Sequence, residues 1–89
     1  MATCAAIEGS GGAAGFVHVD ISDEASIEAA AVEILGQGQP PAVLVNAAGW
    51  DRFELFLDNS PEFMDRIIRL NLLGPVKLTR ALLPAMIEA

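Results

Sequence analysis

Asn71 is the lone amide in the largely apolar run that forms the last helical pattern, and a polar group placed there asks for a reason. Four residues on stands Pro75, which has no N–H. The helical bond that would close on the Asn71 carbonyl therefore cannot form, and that oxygen is left for another partner. Asp20 stands near the end of the apolar, β-branched run 16–21, and Asn46 ends the run 42–46. In open α/β sheets, ligands bind just outside the carboxyl ends of the strands, so both residues stand where such chemistry is done. After Asn46 come Ala47, Ala48 and Gly49, small residues that let backbone pass close to a neighbour. Each feature also has a plain structural reading. Asp20 can be a turn residue ahead of a helix cap, Asn46–Gly49 a strand-to-loop turn, and Asn71 a satisfied amide at a kink.

The elements that would position these residues follow from pattern. Residues 3–8 read as the end of a helix, broken by Gly9-Ser10-Gly11-Gly12. Phe16–Ile21 reads as a strand. Ser22 serves as N-cap for a helix over 23–35, with Asp23 and Glu24 in its first turn and Ile27, Ala30, Ala31 and Ile34 at helical spacing. Gly36, Gly38 and Pro40-Pro41 end it. Ala42–Asn46 is a short continuous apolar run, the pattern of a parallel strand buried on both faces. A loop follows to Asn59. Ser60-Pro61 then starts a helix that runs to about Glu88, apolar on more than one face. Strand, helix, strand, helix predicts an α/β fold with parallel strands.

Composition sets the bounds. The 89 residues allow one domain. An apolar fraction of 53% and a mean hydropathy of +0.45 are high for so short a chain, and suit a piece whose apolar surface is covered by further structure. The net charge is −7, and five scattered basic residues make no nucleic-acid footprint. No run reaches the roughly 18 apolar residues of a membrane span. The single cysteine, Cys4, forms no internal disulfide, and no His/Cys cluster suggests a metal. The expectation is a soluble cytoplasmic protein with no nucleic-acid or membrane partner. Gly9–Gly15 imitates a dinucleotide fingerprint, but it precedes a strand instead of following one. His18 reads as structural, Trp50 as a loop anchor, and Asp51 as solvated.

Three stretches, in order, resemble the short-chain dehydrogenase/reductase family. They are Val19-Asp20-Ile21-Ser22, Val45-Asn46-Ala47-Ala48-Gly49, and Asn71-Leu72-Leu73-Gly74 followed by Thr79-Arg80-Ala81-Leu82-Leu83-Pro84-Ala85-Met86. The second is similar to the family's Asn-Asn-Ala-Gly motif with Ala at its second position. The resemblance runs from about residue 3 to the end. It implies a single partial Rossmann domain over 1–89, the central segment of such an enzyme. It implies NAD or NADP as cofactor and hydride transfer to or from a small-molecule carbonyl or secondary alcohol. Asp20 would accept a hydrogen bond from the adenine amino group while the Ile21 N–H donates to the ring. Asn46, Ala47, Ala48 and Gly49 would line the cofactor, the Asn also steadying the sheet. The Asn71 carbonyl would hold a water that passes protons to the catalytic Lys. The helix 61–88 would form a homo-oligomer.

The chain lacks the family's Thr-Gly-x-x-x-Gly-x-Gly and has no tyrosine at all, hence no Tyr-x-x-x-Lys pair. Inactivity of this chain alone is the expectation. The alternative is a non-catalytic interaction protein that associates through its apolar last helix. In the Rossmann strand order 3-2-1-4-5-6, Phe16–Ile21 and Ala42–Asn46 would be strands 3 and 4, about 14 Å apart with two strands missing between them. Otherwise they would pair directly through a right-handed crossover.

Overall fold

The computed structural model describes residues 2–89. Its regular structure is helical: α1 (Ala2–Gly9), α2 (Glu24–Leu35), a 3₁₀ turn (Phe56–Asp58), α3 (Pro61–Ile68), a π-turn (Arg69–Leu73) and α4 (Gly74–Glu88). The helices stand where the pattern placed them. α1 stops at Gly9, where the Ser10, Gly11 and Gly12 amides fold back on the last carbonyls and Gly11 takes φ +91°. The cap of α2 is Asp23, whose carboxylate accepts from the Ala25 N–H at 3.0 Å, and not Ser22. Ser22 is drawn away because both its N–H and its hydroxyl donate to Asp20. Ser60 caps α3 as expected, accepting from the Phe63 N–H, with Pro61 in the first turn.

The two expected strands are absent among the described residues. A strand is defined by a neighbour that completes its ladder, whereas a helix closes its hydrogen bonds within itself. No backbone bond links 16–21 to 42–46, so direct pairing through a crossover does not occur. Period-two alternation nonetheless survives in 16–21. Val17, Val19 and Ile21 are partly buried, while Phe16, His18 and Asp20 are exposed. In 42–46 the expected burial on both faces fails, with Val43 77% and Val45 76% exposed. What is missing is the cover.

The core is correspondingly small. Ile27, Ala30 and Ala31 of α2 pack with Leu82 of α4, and these four are the buried apolar side chains among the described residues. The radius of gyration is 15.7 Å, against about 12 Å for a compact domain of this length. The excess goes with the missing ladders: among the described residues no sheet gathers the helices.

Helix 61–88 is not uniformly α-helical. Over Arg69–Leu73 it widens to a π-turn, in which the Gly74 N–H donates to the Arg69 carbonyl five residues back. Such turns insert one residue into a helix and are frequent at functional sites. Its position is sensible, since Pro75 denies the next α-helical bond. Asn71 lies at its centre.

Candidate functional site

The two loop ends singled out from the sequence meet at this π-turn. On one side, Gly74 sits against the carbonyl of Ile21, so close that an added Cβ would overlap that oxygen and the Ile21 side chain. On the other, the Asn71 side chain holds the loop after Gly49. Its Oδ1 accepts from the Trp50 N–H at 3.0 Å, and its Nδ2 donates to the Trp50 carbonyl at 2.7 Å and to the Ile67 carbonyl at 3.0 Å. A Cβ on Gly49 would stand 2.9 Å from Asn71 Oδ1. The glycine is thus what lets the amide reach Trp50. Asn71 and Gly74 are three residues apart, so one helical turn collects both loop ends.

Asn46 is fixed separately. Its Nδ2 donates to the Thr79 hydroxyl at 3.2 Å, and that hydroxyl donates to the Pro75 carbonyl at 2.7 Å. Between Asn46 and Trp50, the backbone of Ala47, Ala48 and Gly49 has no hydrogen-bond partner among the described residues. All three residues are exposed.

Asp20 is organised by its neighbours. Its Oδ1 accepts from the Ser22 hydroxyl at 2.6 Å and from the Ser22 N–H at 3.0 Å, while its own N–H donates to Ser26 Oγ at 2.8 Å. The Ser22 hydroxyl bond chiefly, then the Ser22 backbone bond, hold its pKa below the ordinary 3.8; desolvation opposes them, and the charges of Arg66 and His18 add to them. The carboxylate is therefore an ionised acceptor at neutral pH. The Ile21 N–H finds no acceptor among the described residues, which leaves a donor beside that acceptor. Because the folded value is depressed, this group stabilises the fold above the unfolded value and ceases to do so as pH falls below 3.8 through the folded one. An NMR titration should find the Asp20 midpoint below 3.8, and Ser22→Ala should move it up toward that value.

Two clefts flank the turn. One, of about 520 Å³, is lined by Ile21, Ser22, Asp23, Arg69, Gly74 and Lys77 among others. The second, of about 440 Å³, is lined by Trp50, Arg52, Phe63, Arg66 and Leu70. Trp50 meets Phe63 edge-on at 5.7 Å, and the Arg52 guanidinium lies 4.1 Å from the Phe63 ring centre while pairing with Glu54. Trp50 is thus anchored in the loop by backbone and ring alike. Asp51 is exposed and accepts from the Arg52 N–H. His18 is exposed rather than part of a packed interior. Ala47–Gly49 line neither cleft. Among the described residues there is no cluster of potential metal ligands, and no helix is long and apolar enough to cross a membrane.

Sequence reasoning located Asp20, Ile21, Asn46–Gly49 and Asn71 but missed what holds them. Thr79 was accessible in principle, since a Thr four residues after Pro75 can return its hydroxyl to that carbonyl. Gly74 was also accessible, because a glycine within an apolar helix usually marks a close approach. The Trp50 backbone as partner of Asn71 had no local signal, because the two are 21 residues apart.

One helical turn thus collects two loop ends, and similarity to known proteins assigns the chain to a family. The short chain dehydrogenase family matches residues 1–89. The bovine (Bos taurus) protein named dehydrogenase/reductase SDR family member 7B is 44% identical over 72 residues, covering 81% of this chain and 22% of that protein. Human dehydrogenase/reductase SDR family member 7 is 39% identical over 70 residues, covering 79% of this chain and 21% of that protein. The probable oxidoreductase EphD of Mycobacterium tuberculosis is 35% identical over 86 residues, covering 97% and 14%. The chain belongs to the short-chain dehydrogenase/reductase family, and it spans about a fifth or less of the length of these relatives.

Proposed function

We propose that this chain is the central part of an NAD(P)-dependent oxidoreductase acting on a small-molecule carbonyl or secondary alcohol. The observation that carries the reading is the convergence of Ile21 and Trp50 on one π-turn, at Gly74 and Asn71. It sets an ionised acceptor, a free N–H and an unpaired small-residue backbone around a single helical turn. These groups fit a dinucleotide. Asp20 would accept from the adenine amino group, the Ile21 N–H would donate to the ring, and Asn46, Ala47, Ala48 and Gly49 would border the cofactor. The nicotinamide, when bound, supplies or accepts the hydride.

The chain's own contribution to proton movement is Asn71. Pro75 cannot donate to its carbonyl, and the Asn71 side chain is clamped on Trp50. The carbonyl would hold a water serving a Lys contributed from elsewhere in the enzyme. The chain has no tyrosine, so the acid/base pair also comes from elsewhere, and the chain alone is inactive in this reading. Val76, Leu83 and Ile87 share one exposed face of α4, which supports self-association through helix 61–88. The same face supports the second reading, a small non-catalytic protein that docks through this helix.

The test is the native gene product isolated from its source. Its intact mass should lie well above 9.3 kDa, and it should bind NAD(H) or NADP(H) and reduce or oxidise a carbonyl/alcohol pair. A product that forms complexes through the helix but binds neither nucleotide would overturn the enzyme reading in favour of the second.

A further inference from the structure

We infer that Thr79 is a positioning residue for the cofactor-facing segment Ala47-Ala48-Gly49, an inference that rests on the oxidoreductase reading above. The segment is fastened to helix 61–88 at both ends and nowhere between. Its far end is held by Asn71 through both backbone groups of Trp50, at 3.0 and 2.7 Å. Its near end is held only by the Asn46 amide, which donates to Thr79 Oγ1 at 3.2 Å. Thr79 is half-buried, and its hydroxyl proton is committed to the Pro75 carbonyl at 2.7 Å. That commitment leaves the oxygen lone pairs to the Asn46 amide. The hydroxyl therefore has a defined direction, and so does the amide that approaches it.

The consequence is geometric. Asn46 and Trp50 are four residues apart, and with both ends fixed the three residues between have little freedom. Their exposed backbone groups, unpaired among the described residues, are held between two fixed points. Pro75 takes part in the near fastening alone, where its carbonyl orients Thr79. With the near end released, the segment would remain attached at Trp50 but lose its register toward the nucleotide. Thr79 touches no substrate or cofactor in this arrangement and acts only through Asn46.

The test compares Thr79→Val, which keeps the shape and removes the hydroxyl, with Thr79→Ser, which keeps the hydroxyl. Both are made in the full native gene product. Cofactor Kd is measured by titration calorimetry, and KM and kcat in steady state. Loss of one hydrogen bond sets the scale at about fivefold to tenfold. Thr79→Val should weaken cofactor Kd and KM by that factor with a smaller change in kcat, and Thr79→Ser should stay within about twofold of wild type. Equal weakening by both variants, or a fall in melting temperature with Kd unchanged in either, would reduce Thr79 to a packing residue and overturn the inference. Failure of the wild-type product to bind NAD(H) or NADP(H) is a separate outcome. It removes the oxidoreductase reading, and the role assigned to Thr79 falls with it.

Discussion

Gly74→Ala lowers the unfolding free energy of the native gene product by about 3 kcal/mol, the upper part of the range for overpacking a filled site. Gly74 is buried, and its missing Cβ is the space occupied by the Ile21 carbonyl and side chain, with the Arg69 carbonyl 2.9 Å away on the other side. Two of these obstacles are backbone and cannot rotate aside. Ala would otherwise favour the helix by about 1 kcal/mol over Gly, so a net loss isolates the steric conflict. Urea denaturation measures it. An alanine variant as stable as wild type would show that Ile21 and the π-turn are not in contact, and the convergence on which the site rests would go with it. The displaced Ile21 adjoins Asp20, so nucleotide binding should weaken together with stability.

The second large effect is expected at Asn71. Asn71→Ala removes three hydrogen bonds, two to Trp50 and one to Ile67. At about 1 kcal/mol each this amounts to roughly 3 kcal/mol if the freed groups find water. The backbone carbonyl of residue 71 survives the substitution. If that oxygen alone mattered, turnover would be unaffected. The expectation is instead a fall in kcat of about a hundredfold, the scale of a small misplacement of catalytic groups. Pro75→Ala separates the two roles, since it offers the Asn71 carbonyl an N–H while leaving the Trp50 clamp in place. Full activity in Asn71→Ala would remove the clamp from the mechanism. Full activity in Pro75→Ala would remove the free carbonyl.

Helical content and the cap of α3 were legible along the chain because they depend on near neighbours, whereas the cap of α2 fell on Asp23 and not on Ser22. Ile27, Ala30 and Ala31 at helical spacing became the buried face of α2. Ser60-Pro61 became a capped start, and Pro75 foreshadowed an irregular turn at Asn71. The run 16–21 kept its alternation of inward and outward side chains even without a ladder. What near neighbours encode was thus readable along the chain: which residues are helical, and which face of α2 is apolar.

Only the tertiary structure decided whether the apolar runs are strands and how the motifs meet. A strand depends on a partner remote in sequence, and among the described residues no backbone bond gives 16–21 or 42–46 a ladder, so the two runs form no strand and stay partly bare. The meeting of Ile21 with Gly74, of Trp50 with Asn71 and of Asn46 with Thr79 joins residues 21 to 53 positions apart. Such contacts are selected by the packing of the helices, and no local pattern says which loop meets which turn.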